Sequence, residues 1–246
     1  MAKKKEEQTI DYEAMAKEGF EGVKADDMGT PFLSIVQKLS PQLNAKHAKY
    51  IEDVEEGCII NTATGEIIGG EEDAVIVIPC GYQKMYVEWK PRESGGGFVM
   101  AHPDVSILSE CTKNDRNQDI LKNGNLIATT AYFFCMYETK DGTWSKAVIG
   151  FTSTQLKKSR QWLTMMASIK FDGSNGKFTP PMFSHKYAIV TVPEKNAGGE
   201  WYGWKIESAG MVNDAKLIDS ARETKQLVGA GIVKQLEAHE SDELPF

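Results

Sequence analysis

The sequence predicts a mainly β fold of the α+β class, and three observations carry that expectation. Residues 125–151 hold two runs rich in β-branched and aromatic side chains, Leu126–Thr139 and Trp144–Phe151, on either side of an Asp141-Gly142 turn. Shorter apolar runs joined by Gly-, Pro- and Asn-bearing turns recur before and after them. Helical periodicity occurs in one segment inserted between strand pairs and in one last segment.

In chain order, residues 1–28 are charged and nearly free of large apolar side chains, which predicts a mobile arm with a short helix around Tyr12–Glu18. Residues 31–43 read as a strand or packed extended segment ending at Pro41. Residues 57–70 read as a hairpin, with Cys58–Ile60 and Ile67-Ile68 flanking the Asn61–Gly65 turn. Ala74–Pro79 is continuously apolar, as in a buried strand. Gly81 is expected to break it, and Tyr82–Trp89 to follow as a second strand with Tyr82, Lys84, Tyr86 and Glu88 on one face. Pro91–Phe98 is a flexible basic loop carrying Gly95-Gly96-Gly97, and residues 99–124 are a long polar excursion.

The inserted helix starts at the hydroxyls of Thr152, Ser153 and Thr154, runs to about Ile169, and places Leu156, Ser159, Leu163 and Met166 on one face. A Gly/Pro loop over 170–182 leads to a hairpin of residues 183–193 and 200–208 around Asn196–Gly199. Residues 214–236 form an amphipathic helix through Ala215, Ile218, Ala221, Leu227 and Val228. The resulting division is an arm (1–28), a β-domain (29–210), a C-terminal helix (211–236) and a tail (237–246). Many short strands argue for a sandwich or small barrel rather than a parallel α/β fold. An OB-like antiparallel β-barrel with loop elaborations fits the strand count, and another β-sandwich stays open.

Several function classes fall away. No apolar run approaches the roughly 18–20 residues that span a bilayer, and the polar N-terminus has no signal-peptide core. A cytoplasmic protein without a membrane is therefore expected. Cys58, Cys80, Cys111 and Cys135 are far apart with no C-x-x-C pair, so buried free thiols are expected rather than zinc or disulfides. His47, His102, His185 and His239 lack ligand spacing, and neither a phosphate loop nor a nucleophile elbow occurs. No metal, no cofactor and no enzymatic activity are expected.

The net charge of −7 conceals an uneven distribution. Lys and Arg number 8 against 16 Asp and Glu over residues 1–78, 16 against 11 over 79–205, and 4 against 8 over 206–246. The basic middle is also the aromatic-rich part. Binding single-stranded nucleic acid without sequence preference needs cations along the phosphates and flat rings against the bases, each stacked ring contributing about 1–3 kcal/mol. Residues 152–187 supply Lys157, Lys158, Arg160, Lys170, Lys177 and Lys186 against one acid, Asp172, interleaved with Trp162, Phe171, Phe178, Phe183 and Tyr187. Trp162, Phe183 and Phe151 read as core. Tyr82, Lys84, Tyr86, Trp89, Lys90 and Arg92 make a second cluster, with Phe98 on the glycine loop beyond it. The candidate nucleic-acid contacts are thus Tyr82, Lys84, Tyr86, Lys90, Arg92, Phe98, Lys157, Lys158, Arg160, Lys170, Lys177 and Lys186.

The tail carries Glu237, Glu240, Asp242 and Glu243 with no Lys or Arg after Lys234, and ends Leu244-Pro245-Phe246. A solvated acidic segment stays extended. A terminal phenyl ring serves docking: it can fill a partner's apolar pocket while the carboxylates meet its cations. This tip resembles the C-terminal tip of bacterial single-stranded DNA-binding proteins. Asp242 and Glu243 match the acidic positions, Leu244 the aliphatic one, and Pro245 and Phe246 the final pair, although the long Gly/Pro/Gln-rich linker of those proteins is absent. Three stretches, Tyr86–Arg92 with Gly95–Phe98, Ser153–Trp162 and Phe183–Tyr187, broadly resemble phage-encoded DNA-binding proteins of replication and recombination modules. The resemblance implies sequence-independent single-stranded DNA binding in phage DNA replication or recombination, with the tail recruiting replication proteins. The opposite charges of residues 79–205 and 237–246 further lead to the expectation that the tail lies over the basic groove when DNA is absent. The oligomeric state, a homo-oligomer included, is left open. Two alternatives remain: a non-enzymatic phage adaptor or structural protein whose β-domain binds protein, and a recombination annealing protein.

Overall fold

A computed structural model describes residues 15–16, 18–23 and 31–225, with the backbone alone at Arg92. The rest of the arm, residues 226–236 of the C-terminal helix and the tail with Asp242, Glu243, Leu244, Pro245 and Phe246 lie outside the described residues. The architecture is mainly β, dominated by a curled half-barrel sheet. Its strands are β1 (Phe32–Ile35), β2 (Ile59–Asn61), β3 (Ile67–Gly69), β4 (Val75–Trp89), β5 (Phe98–His102), β6 (Thr112–Lys113), β7 (Asp119–Ile120), β8 (Leu126–Glu138) and β9 (Trp144–Thr152). A helix, α1 (Leu156–Ser168), follows. Then come a separate two-stranded ribbon of β10 (Phe171–Gly173) and β11 (Gly176–Phe178), and the long hairpin of β12 (His185–Asn196) and β13 (Gly199–Met211). Residues 215–225 form a second helix, α2, whose start is held by the Asp214 carboxylate accepting from the Lys216 amide at 2.8 Å.

The main sheet runs β13-β12-β4-β8-β9-β1-β2-β3, with β5 on β4 and the β6–β7 pair on β8. Two features depart from the sequence expectation of an all-antiparallel barrel. The β1–β9 pair is parallel. And β4 is a single strand: Gly81 does not end it but forms a bulge with Pro79, where the register against β8 shifts by one residue. Proline has no amide to give a ladder, so a bulge is where a strand accommodates it. The shift changes which side chains face inward. Val75 and Val77 belong to the main core before the bulge, and Tyr82 packs on it after.

β8 is buried on both faces, which accounts for its nearly unbroken apolar sequence. Phe133, Cys135 and Tyr137 face the concave side with Ile149, Phe151 and Ile189. Tyr132 and Phe134 face the convex side with Phe32, Met85 and Val87. Farther along that side, Ile78, Cys80 and Met136 are covered by Phe183 and by Leu217, Ile218 and Ala221 of α2. α1 fills the concavity: Trp162, 1% exposed, stacks on Phe133 at 4.4 Å between ring centroids.

The ends of the strand order meet, so the sheet curls back on itself. The Gln37 side-chain amide donates to the Tyr202 carbonyl at 2.8 Å and accepts from the Tyr202 amide at 2.9 Å. One side chain thereby imitates a strand at the open edge of β13. Thr191 on β12 donates its amide to the Gly70 carbonyl and its hydroxyl to the Gly57 carbonyl.

Other expectations are corrected locally. Residues 170–182 are not a plain loop, since Asp172↔Lys177 pairing builds the β10–β11 ribbon. The polar excursion over 99–124 carries β5, β6, β7 and a short 3-10 helix at Val105–Glu110. The hydroxyls before α1 make no side-chain cap; a 3-10 turn at Ser153–Gln155 leads into the helix instead.

Candidate nucleic-acid interface

One step of three residues and one of four decide what α1 presents. At about 100° per residue, Ser159, Trp162 and Met166 share one face and are buried. Lys157, Arg160, Gln161, Thr164 and Ser168 share the opposite face and are exposed. They line, with Met165, an open recess of about 430 Å³. Lys157 and Arg160 form no ion pair with a described residue. Nothing among the described acids therefore neutralises this face, and an anion can approach it.

Lys158, between them in sequence, is spent differently. It lies on the flank of α1 and its ammonium sits 2.8 Å from the Glu194 carboxylate of β12. Glu194 also accepts from Gln155 Nε2 at 2.9 Å and from Trp201 Nε1 at 3.0 Å. Burial pushes the Glu194 carboxyl up, but these donors outweigh it and hold its pKa below the ordinary value. Gln155 Oε1 accepts from the Trp204 amide, a second glutamine paired to the edge of β13. Lys158 is thus a clamp between helix and hairpin, contrary to its expected phosphate role. Lys170 departs likewise: its ammonium donates to the Ala167 carbonyl at 2.9 Å and to Thr179 Oγ1. It caps the C-terminal end of α1, where the helix dipole favours a cation, and braces the ribbon.

The remaining candidates divide. Lys177 is exposed on the ribbon opposite Asp172, and Lys186 is half-buried on β12 beside the bulge at His185–Tyr187. Lys84 is exposed on the concave side of β4, the side that α1 covers, with its ammonium 5.8 Å from the Tyr86 ring centre. Tyr86 itself is 4% exposed, so the expected stacking platform is packed away. Tyr82 is half-buried, its ring edge-on to Phe133 at 5.1 Å. Phe98 is half-buried as well, at the start of β5 and edge-on to Trp89 at 6.0 Å. The loop between them is closed by the Lys90 amide donating to the Gly97 carbonyl. Gly95, Gly96 and Gly97 all have φ between +66° and +105°, a run that only glycine adopts without strain. Lys90 is exposed there, and the Arg92 side chain lies outside the described residues.

One polar cluster escaped sequence reasoning. Glu88, buried on the concave side of β4, accepts from Asn125 Nδ2 at 2.5 Å and Asn123 Nδ2 at 3.4 Å, and its other oxygen meets His102 Nε2 at 2.9 Å. Burial pushes its carboxyl up, but the hydrogen bonds win and the pKa falls below the usual glutamate value. The cluster pins residues 102–125 onto the sheet. Asn123 and Asn125 stand at the end of the stretch read as a polar excursion, and nothing in the sequence links them to Glu88. Among the described residues no group of three or more His, Cys, Asp or Glu is placed to hold a metal ion, and the four cysteines are free thiols. No helix there is long and apolar enough to cross a membrane.

A family model described as Pam3 phage gp34-like protein matches residues 2–234, nearly the whole chain. No curated protein and no solved structure matches.

Proposed function

We propose that this chain, which belongs to the Pam3 phage gp34-like family, binds single-stranded DNA without sequence preference during phage DNA replication or recombination in the host cytoplasm. It does so without catalysing a reaction. The curled sheet is read as an OB-like barrel, and the strand runs along the outer face of α1 toward the Lys84 side of β4. The acidic tail recruits replication proteins. The observation that carries this reading is the split surface of α1, with Trp162 buried in the core and Lys157 and Arg160 opposite it, ion-paired with no acid among the described residues, along an open recess. Phosphate attraction of that kind is independent of sequence.

A second reading, a protein-binding adaptor, is favoured by one feature: Val99 and Met100 are exposed on β5, at an edge of the sheet. Fluorescence anisotropy of labelled oligo-dT, competed by unlabelled strands and by duplex, separates the two. Single strands of different sequence are expected to compete alike, and duplex only weakly. No binding of oligo-dT, or equal competition by duplex, refutes the DNA reading.

A further inference from the structure

We infer that the β10–β11 ribbon is the base-contacting arm of this site, and that Phe178 is its stacking ring; the inference rests on the proposed DNA binding. The ribbon pairs with no strand of the main sheet. An isolated two-stranded ribbon is marginal in water, so its observed props have a purpose to be explained. Lys170 ties its base to the Ala167 carbonyl of α1 and to Thr179. Phe171 anchors it inward, with its ring 5.9 Å from that of His185, a buried residue of β12. Across the ribbon, Phe171 meets Phe178 edge-on at 6.0 Å.

Phe178 is the end product of those props, and it is 47% exposed. It is held in place rather than loose. A Cβ built on Gly173 would lie 3.0 Å and 3.2 Å from Phe178 Cδ1 and Cε1, so the ring rests against bare backbone on the facing strand. Gly173 has no positive φ to explain it, which leaves room for the ring as the reason for a glycine there. The single acid of the ribbon, Asp172, faces Lys177 in register, so the local charge around the ring is not anionic. A half-open ring on a ribbon tied to the C-terminal end of α1, the helix whose exposed face carries Lys157 and Arg160, has the chemistry that a nucleobase requires: a π-surface at the end of a phosphate-binding stripe.

The test uses the full chain with two probes of equal length, oligo-dT and an abasic oligonucleotide that has phosphates but no bases. Phe178→Ala is expected to weaken oligo-dT binding between about 5-fold and about 150-fold, the range for one stacked base, and to leave the abasic probe unaffected. Phe178→Trp is expected to keep affinity and to show tryptophan quenching on addition of oligo-dT. Gly173→Ala, which pushes the ring from its seat, is expected to weaken oligo-dT alone, and thermal melting checks that each variant is folded. Unchanged oligo-dT affinity in Phe178→Ala overturns this inference and leaves the proposed function standing. So does an equal loss on both probes. Absence of oligo-dT binding by the unsubstituted chain overturns the proposed function itself.

Discussion

The Lys158 ammonium of α1 lies 2.8 Å from the Glu194 carboxylate of β12, and this contact separates it from Lys157 and Arg160 on the same turn of helix. Lys157→Ala combined with Arg160→Ala is expected to weaken oligo-dT binding and to flatten its dependence on log salt by roughly 0.7 per lost phosphate contact, with the urea midpoint unchanged. Lys158→Ala is expected to do the reverse, costing roughly 1 kcal/mol of stability with little change in the salt slope. Denaturation curves and anisotropy at several salt concentrations, taken on the same preparations, check both halves.

Trp162 joins α1 to the sheet through its stack on Phe133 and its edge contact with Tyr187. Trp162→Ala empties the centre of the concavity, and a buried Trp→Ala change costs about 3–5 kcal/mol. Urea denaturation should show that loss. Because the recess residues sit on α1, DNA binding should fall together with it as the helix loosens.

The sequence made the strands of the main sheet largely legible because their apolar runs are long and β-branched: β8, β9 and the β12–β13 hairpin stand where their patterns put them. It failed at Gly81, since a bulge and a strand break look alike in sequence, and only the β8 register tells them apart. Helix α1 was legible, but its face assignment was partial. Trp162 and Met166 behave as core, whereas the division of labour among Lys157, Lys158 and Arg160 depends on Glu194, a long-range partner in another element. Tyr86 was misjudged for a related reason. Period-two alternation gives its face, concave with Lys84, but not what the chain later lays over that face. The β10–β11 ribbon hid inside a Gly/Pro-rich segment whose turn residues outweighed its two three-residue strands.

Glu88 sets an acid limit on stability. Its folded pKa lies below the ordinary glutamate value, so its contribution is present in full above the unfolded value of about 4.3. That contribution is lost as the pH falls through the lower folded value. Urea midpoints measured from pH 7 down to pH 3 are expected to decline below about pH 4.3, with hydrogen exchange rising first in residues 102–125. Glu88→Gln should be less stable at neutral pH and should show a shallower acid limb.

Gln37 closes the curl of the sheet with two hydrogen bonds to the Tyr202 backbone. Gln37→Ala strands a backbone donor and acceptor, at a cost of about 1–3 kcal/mol for each group left buried without a partner. The Tyr202 amide should then exchange faster with deuterium, while amides in the middle of β8 keep their protection. Gln37→Glu should rescue the amide bond but not the carbonyl one.

The central claim is that α1 presents to a single strand a cationic face that no acid among the described residues neutralises. Titration of labelled oligo-dT at a series of salt concentrations tests it most directly. Tight binding at low salt is expected, with log K falling linearly in log salt and the slope reduced in the Lys157→Ala, Arg160→Ala double variant. Failure to bind at low salt, or a slope that the double substitution leaves untouched, would contradict it.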